Sequence, residues 1–430
     1  MPPLLLLFLI FTVLLLAAVP ITFALGLASL AVILVGQIPT TILAQRMFSG
    51  LNSFTLLAIA FFFLAGNIMS VGSVTERLLR LAMALVGHIR GGLALVTVVV
   101  GMFFGGVTGS STAEAAGLGA IFVPAMRRRG FDERFAVAIS AVSSTMGVII
   151  PPSILMVVYG AAANASVGRL LIGGILPGIL IAVVLCLEAY VFAIRRGYPS
   201  EMERWEGLTG VWKGLRESAW GLALPGIIVV GMIGGMFTPT EAAVIAVVYA
   251  MFISLVVYRD ISPRRMLTVV ADTGVQSCLV LLLIATSSVF AWILAVYQVP
   301  DAVTRYFLSL TRDPTVILLL IVALYLILGT FLDAIPAILI FVPILQPVAR
   351  QVGINDLHLG LVIVMTCAIG LLTIPYGTCT LATCAVANVP VMRVLGMVYL
   401  IMMANFVVLA LLVFFPKPFL FLPNLLIPVR

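Results

Sequence analysis

Hydroxyl, glycine and proline residues gather at four places where apolar stretches of the chain are interrupted. These four breaks are residues 105–112 (GGVTGSST), 143–153 (SSTMGVIIPPS), 329–333 (GTFLD) and 373–378 (TIPYGT). A helix that unwinds inside a membrane exposes carbonyl oxygens that can coordinate a cation such as Na⁺. The N-termini of the half-helices at the same place can hold an anion. The four breaks therefore predict a site for ions and an anionic ligand.

None of the four breaks contains a lysine or an arginine. An anion would have to be held by helix N-termini, hydroxyls and amides, together with bound cations, which favours ion-coupled co-transport. Glu114 and Asp333 are the acids at these breaks. Each either has a functional role, as intramembrane acids usually do, or caps a helix. Residues 111–114 fit a capping box. Two simpler alternatives remain: the hydroxyls of the first break only cap a hairpin, and Pro151 and Pro152 only kink a helix.

The composition indicates a protein that lies in a lipid bilayer. Of the 430 residues, 63% are hydrophobic and 9% are charged, whereas soluble domains are about 25% charged. These values argue against a soluble enzyme and a disordered chain. Apolar runs of about 20 residues recur along the chain, as membrane-spanning helices require, without the alternation of a β-barrel. The net charge of +7 then indicates lysines and arginines in cytoplasmic loops rather than a nucleic-acid-binding surface.

Paired landmarks show that the chain contains an internal repeat. Pro20 and Pro239, the segments beginning at residues 111 and 330, and the prolines at 124 and 343 are each 219 residues apart. The prolines at 151 and 375 and the asparagines at 164 and 388 are 224 apart. Inverted repeats with broken helices are typical of secondary transporters. We therefore predict an all-α polytopic membrane protein of two inverted-topology repeats, with re-entrant helical hairpins and broken transmembrane helices, as in elevator-type transporters.

The basic residues give the orientation of this arrangement. Sixteen of the 23 lysines and arginines, including Arg128, are predicted on one side of the membrane, and seven, including Arg350, on the other. The side richer in basic residues is cytoplasmic by the positive-inside rule, which places both termini outside. Residues 197–220, the one polar stretch, are predicted to form an interfacial helix that links the halves on the cytoplasmic side.

The repeats also predict a division of the chain into a scaffold and a transport domain. The scaffold comprises residues 1–90 and 221–312. The transport domain comprises residues 91–196 and 313–416, each part holding a hairpin, a broken span and a last span. Residues 417–430 form a C-terminal tail.

Residues 105–130 and 143–153, together with PTEAA at 239–243, resemble the large membrane (M) subunit of tripartite ATP-independent periplasmic (TRAP) transporters, the DctM-like family. The resemblance implies a transporter rather than an enzyme, located in the bacterial cytoplasmic (inner) membrane. It implies uptake of an organic acid, such as a C4-dicarboxylate, sialic acid or another sugar acid, by an elevator mechanism. Na⁺ would be the coupling ion, and no other cofactor is implied. The implied partners are a periplasmic substrate-binding (P) protein and a small membrane (Q) subunit, here expected as a separate chain.

The resemblance also implies site residues, matched motif by motif. The first Na⁺ site would use Ser110, Ser111, Thr112, Gly147 and Ile150, and the second would use Gly329, Thr330, Thr373, Ile374 and Thr378. The substrate would lie near Thr108, Ser110, Ser153 and Gly377. The second hairpin tip departs from the first because it carries the bulky Phe331 and Leu332.

Two other classes of function remain open from the residues. One is a different transporter of similar architecture, either a receptor-independent dicarboxylate symporter or an ion antiporter. The other is an intramembrane enzyme or a channel. The sequence lacks paired catalytic acids, a serine–histidine pair and metal-ligand motifs, which argues against this class.

Overall fold

The computed structural model describes residues 2–202 and 204–427, and this part of the chain contains helices and no strand. The helices, in chain order, are α1 (Pro3–Leu16), α2 (Ile21–Val35), α3 (Thr41–Leu51), α4 (Phe54–Val71), α5 (Val74–Val86), α6 (Gly92–Thr108), α7 (Ser111–Arg128), α8 (Glu133–Ser143), α9 (Ile154–Ala163), α10 (Val167–Arg196), α11 (Gly207–Ile233), α12 (Pro239–Phe252), α13 (Pro263–Val296), α14 (Val299–Leu310), α15 (Pro314–Gly329), α16 (Ala334–Gln351), α17 (Asp356–Gly370), α18 (Thr378–Ala387), α19 (Val391–Ile401), α20 (Met403–Phe414) and α21 (Pro416–Leu426). A 3₁₀ turn (Ser144–Val148) follows α8, and a π turn (Ile253–Val257) follows α12.

Within residues 2–202 and 204–427, seven helical segments are long and apolar enough to cross a membrane. They are α4, α10, α11, α12 with its π turn, α13, α16, and α19 with α20. Several other apolar helices, among them α6, α9 and α18, have 10 to 17 residues. Helices α9 and α18, with 10 residues each, reach only about half of the ~30 Å hydrocarbon core. The all-helical, polytopic class predicted from the composition is confirmed.

The helices of the first half recur in the second half in the same order. Helices α6 and α7 form a helical hairpin, and α15 and α16 form its counterpart. The break between α8 and α9 corresponds to the break between α17 and α18, and α10 corresponds to α19 with α20. Helices of the two halves pack against each other at the centre: α7 packs on α18, and α9 packs on α16. The middle of the molecule is thus built jointly by both repeats.

Paired glycines let the first arm of each hairpin contact the broken span of its own repeat. A Cβ atom on Gly105 of α6 would lie 3.0 Å from the Cα atom of Gly147 in the first break. A Cβ atom on Gly329 of α15 would lie 2.8 Å from the Cα atom of Gly370, at the end of α17. Real Cβ atoms essentially never come within 2.8 Å of a backbone atom and seldom come within 3.0 Å, so the second crossing needs glycine and the first one favours it. A close contact between two glycines therefore occurs at the same place in both repeats.

Ionic contacts agree with the two sides assigned from the basic residues. Arg129 and Glu201 form a salt bridge of 2.8 Å on the predicted cytoplasmic side. Arg350 and Asp356 form one of 2.8 Å on the predicted outer side. Every salt bridge within residues 2–202 and 204–427 joins two residues of the same predicted side.

The interfacial helix predicted over residues 197–220 would end at residue 220, but the structure has no helix end there. Residues 207–220 are instead the first half of α11, a continuous helix of 27 residues. A break at residue 220 would leave backbone amides and carbonyls unpaired at the edge of the lipid, which a continuous helix avoids. The polar half of α11 packs against α5, and the hydroxyl of Ser218 donates to the carbonyl of Arg77 at 2.8 Å.

The segment that follows α10 is hydrogen-bonded to the loop between α5 and α6. The amide of Gly91 donates to the carbonyl of Pro199 at 3.0 Å, and the amide of Glu201 donates to the carbonyl of Gly87 at 3.0 Å. Tyr198 stacks on Phe131 with ring centroids 4.2 Å apart. The two chain connections of the first repeat on the cytoplasmic side therefore form one structural unit.

Asp132, beside this unit, is expected to make a pH-dependent contribution to stability. Burial opposes its ionisation, but the backbone N–H of Arg134 and the guanidinium of Arg196 outweigh burial and lower the pKa of Asp132. The ionised carboxylate thus stabilises the fold above its ordinary pKa of 3.8, and this stabilisation is lost as the pH falls through the lowered pKa. In thermal melts, D132N is expected to unfold below wild type at pH 7, with a smaller difference near pH 3.

D132A is the companion variant, because it also removes the cap that Asp132 provides by accepting from the amide of Arg134. We expect D132A to cost about 1 kcal/mol more than D132N, since asparagine still caps a helix. A difference between wild type and D132N that is the same at pH 7 and pH 3 would contradict the ionic role.

Candidate functional site

Helices α7 and α18 run in parallel from the centre of the molecule toward the predicted cytoplasmic side. Their N-termini meet where the hydroxyl of Thr112 donates to the hydroxyl of Thr378 at 3.4 Å. Their C-termini meet where the guanidinium of Arg127 donates to the carbonyl of Ala387 at 3.0 Å. One helix comes from each repeat, so two positive helix ends lie together at the centre.

Helices α9 and α16 form the matching pair and run toward the predicted outer side. Near their C-termini, the amide of the Gln346 side chain donates to the carbonyl of Ala163 at 2.8 Å. Ser153 and Asp333 are the N-cap residues at their starts. Two further positive helix ends are therefore placed at the central level, pointing opposite to the first pair.

The hairpin tips lie directly on the two breaks. At the first tip, Gly109 has φ +65°, and a Cβ atom there would lie 2.6 Å from the carbonyl oxygen of Pro152. At the second tip, the carbonyl of Thr330 accepts from the amide of Tyr376 at 3.0 Å. Both tips and both breaks thus form one contiguous centre.

The structure brings together three of the five residues predicted for the first Na⁺ site. A Cβ atom on Gly147 would lie 3.3 Å from the carbonyl carbon of Ser110 and 3.3 Å from the amide of Ser111. Ser111 is buried. Thr112 is exposed and turns toward Thr378, while the side chain of Ile150 lies against Gly178.

The residues predicted for the second Na⁺ site lie on the second hairpin tip and on the second break, which the bond from the amide of Tyr376 to the carbonyl of Thr330 joins. The hydroxyl of Thr330 donates to the carbonyl of Ile327 at 2.7 Å, and the hydroxyl of Thr373 donates to the carbonyl of Gly370 at 2.9 Å. Each hydroxyl keeps oxygen lone pairs that can accept or ligate. Gly329 is at the glycine crossing, and Ile374 lies inside the break next to Thr373.

The four residues predicted to bind substrate fall into two groups. Ser110 and Gly377 are the N-cap residues of α7 and α18, so they flank the contact between Thr112 and Thr378. Thr108 is buried against α4, where a Cβ atom on Gly66 would lie 2.6 Å from its carbonyl oxygen. The hydroxyl of Ser153 is occupied within the broken span, donating to the carbonyl of Val148 and accepting from the amide of Met156.

The family model for the DctM component of tripartite ATP-independent periplasmic transporters matches residues 8–418. This chain belongs to that family. It is 36% identical over 416 residues to the sialic acid TRAP transporter large permease protein SiaM of Vibrio cholerae, covering 96% of each chain. It is 37% identical over 406 residues to the C4-dicarboxylate large permease protein DctM of Pseudomonas aeruginosa, covering 93% of this chain and 94% of that one.

Among solved structures, the YdaH transporter of Alcanivorax borkumensis matches with a TM-score of 0.63 at 15% identity, covering 94% of this chain and 97% of that one. At this identity the likeness concerns the fold alone. It agrees with the polytopic helical architecture described above. The resemblance to the large TRAP subunit is confirmed, and the chain is a multi-pass membrane protein.

The capping box predicted at residues 111–114 of this DctM component is not formed. Ser110 is the N-cap residue of α7 and makes no side-chain capping bond, and Glu114 is the fourth residue of that helix. Its carboxylate points into the protein rather than back to the N-cap. Asp333, by contrast, is the N-cap residue of α16, and its carboxylate accepts from the amide of Ala334 at 2.7 Å. Asp333 therefore caps a helix, whereas Glu114 does not.

Sequence reasoning missed Asn405 of α20, which reaches the first break from the other repeat. Its side-chain amide donates to the hydroxyl of Thr145 at 3.0 Å, and that hydroxyl donates to the carbonyl of Val142 at 2.7 Å. Both side chains are fully buried. An isolated asparagine in an apolar run was the available signal, because polar residues inside membrane spans are rare and usually paired.

A cavity of about 820 Å³ separates α4 and α5 from the first hairpin. Residues of predicted cytoplasmic location, Glu76 and Arg80, line one part, while Phe104, Ala113 and Gly117 of the hairpin line another. The cavity is thus lined both by residues of the predicted cytoplasmic side and by both arms of the hairpin.

Proposed function

We propose that this DctM component carries an organic acid anion across the bacterial inner membrane in symport with Na⁺. The observation that carries the proposal is that the N-termini of α7, α9, α16 and α18 lie at the hairpin tips and breaks, which supply hydroxyls but no lysine or arginine. The relatives named above act on sialic acid and C4-dicarboxylates. The substrate class is accordingly a carboxylate such as a C4-dicarboxylate, sialic acid or another sugar acid.

Helix ends favour an anion but do not neutralise it. A helix N-terminus contributes about half a positive charge, which is screened unless it is buried. A dicarboxylate in this centre therefore needs further positive charge, and bound Na⁺ supplies it. Ions and substrate then favour the same state of the protein, which is the thermodynamic condition for coupling.

In this proposal the transport domain (residues 91–196 and 313–416) moves against the scaffold (residues 1–90 and 221–312) as an elevator. The exchanged pairs, α7 with α18 and α9 with α16, hold both hairpins and both broken spans together as one body. The close contact of Gly66 with Thr108 lies at the surface where the two domains would slide. The cavity beside α4 and α5 would be the path by which substrate leaves to the cytoplasm.

The proposed assembly has two protein partners. A periplasmic binding protein delivers the substrate to the outer side, and a small membrane subunit braces the scaffold. The support for both is membership of a family named for its tripartite, periplasmic organisation. Receptor dependence separates this assembly from a receptor-independent symporter or antiporter of similar fold.

The test is uptake into proteoliposomes that contain this chain and the small subunit, with the binding protein added outside. S111A and T378A are each expected to raise the Na⁺ concentration for half-maximal uptake about tenfold, because one ligand to a charged ion contributes about 1.5 kcal/mol. S29A is the control, since Ser29 is a buried hydroxyl of α2, distant in sequence from the breaks. Unchanged Na⁺ dependence in both variants refutes the ion sites, and uptake without the binding protein refutes the tripartite assembly.

A further inference from the structure

Glu114 is a buried acid that has no role in the sites described above. Its side chain is 0% exposed. Neither of its carboxylate oxygens has a hydrogen-bond partner within the part of the chain that the structure describes. None of the salt bridges among those residues includes it.

The carboxylate of Glu114 lies in a space made by two glycines. A Cβ atom on Gly101 of α6 would lie 3.1 Å from its Oε1 and 3.2 Å from the Cβ of Ser143. A Cβ atom on Gly147 would collide with its Oε2 and lie 3.3 Å from the amide of Ser111. The carboxylate is therefore enclosed between α6, α7 and the 3₁₀ turn, and Ser111 and Ser143 are its neighbours.

The hydroxyls of those two serines are also without partners. Ser111 is 1% exposed and Ser143 is 0% exposed, and neither Oγ makes a hydrogen bond to another described residue. One buried acid and two buried hydroxyls thus surround the same small space. Buried polar groups are almost always paired, so three unpaired ones together indicate a missing ligand.

The chemistry of these groups determines the kind of ligand. Burying a lone carboxylate costs several kcal/mol unless an opposite charge accompanies it. One carboxylate with hydroxyl and carbonyl oxygens forms a hard-oxygen set with a single negative charge, which a monovalent cation balances. A divalent metal site is not supported, because the described residues contain no group of three or more histidine, cysteine, aspartate or glutamate ligands.

We infer that Glu114 is the anionic ligand of the first cation site, with Ser111 and Ser143 as hydroxyl ligands. This inference rests on the proposed Na⁺-coupled function and adds a charge to a site that otherwise consists of neutral groups. Na⁺ bound beside Glu114 is neutralised by the protein itself. Asp333, the acid at the second hairpin tip, differs because its carboxylate already accepts from the amide of Ala334 and caps α16. The first ion therefore binds beside Glu114 without substrate.

The test measures the thermal stability of the purified protein when choline chloride is replaced by NaCl, without substrate. Wild type is expected to melt at a higher temperature in Na⁺. E114Q is expected to melt above wild type without Na⁺, because the uncompensated charge is gone, and to need at least tenfold more Na⁺ for the same shift. D333N is the matched control and is expected to keep the wild-type response.

Each outcome distinguishes this inference from the function on which it rests. A Na⁺ response in E114Q equal to that of wild type overturns the role of Glu114 and leaves Na⁺ coupling intact. A wild type that shows neither stabilisation nor uptake dependent on Na⁺ overturns both. E114D provides a second measurement if E114Q does not fold: it keeps the charge on a shorter side chain. We expect weakened Na⁺ affinity in E114D, and unchanged affinity contradicts the inference.

Discussion

Replacing Gly370 with valine is expected to reduce transport strongly. A Cβ atom at this position would lie 2.9 Å from the Cα atom of Gly329, so α15 and α17 could no longer cross. The clash is with backbone, which cannot rotate away as a side chain can. Overpacking of this kind costs about 1–3 kcal/mol and sometimes more. The crossing also positions the second hairpin tip on its break, so we expect uptake to fall by at least about tenfold.

G396V is the matched control, because Gly396 also lies in a helix, α19, but has open space where a Cβ atom would be placed. Both variants make the same glycine-to-valine change within a helix, so the difference between them reports the crossing. G105V tests the equivalent crossing in the first repeat and should resemble G370V. Equal melting temperatures and equal uptake for G370V and G396V would show that the crossing is not required.

Replacing Ser153 with alanine is expected to disconnect the two halves of the first broken span. The hydroxyl of Ser153 joins the carbonyl of Val148, before the break, to the amide of Met156, after it, at a fully buried position. Alanine leaves both backbone groups without this partner, and an unpaired buried group costs about 1–3 kcal/mol. S153A should therefore melt well below wild type and transport little.

S153T keeps the hydroxyl and is expected to restore most of the lost stability. S166A is the control, since Ser166 is the exposed N-cap residue of α10 and makes no side-chain capping bond. If Ser153 acts only by touching substrate, S153A will raise the substrate concentration for half-maximal uptake and leave the melting temperature unchanged. That result would argue against the linking role.

The positions of the breaks could be predicted from sequence because they depend on local chemistry. Glycine, proline and hydroxyl residues interrupt apolar runs wherever a half-helix begins, and the offsets of 219 and 224 residues make the two copies visible. The capping box at Thr238 and Glu241 is equally local, and the structure contains it. Features within about one helical turn were thus accessible without coordinates.

What could not be predicted depends on contacts between distant parts of the chain. The residue pattern 111–114 fits a capping box, yet Gly101 and Gly147 provide space that draws Glu114 inward. The bond from Asn405 to Thr145 joins residues 260 positions apart. The polar residues 207–220 continue into a span because α5 supports them. In each case a tertiary neighbour decided between two local possibilities.

The exchange of partners between the repeats affects how the protein must be made. When the ribosome has delivered α7 and α9 to the bilayer, α18 and α16 do not yet exist. During that interval the glycine- and hydroxyl-bearing faces of the first half have only lipid or translocon beside them. Folding can be completed only after nearly the whole chain has emerged, so a truncated product is left half-assembled and open to membrane proteases.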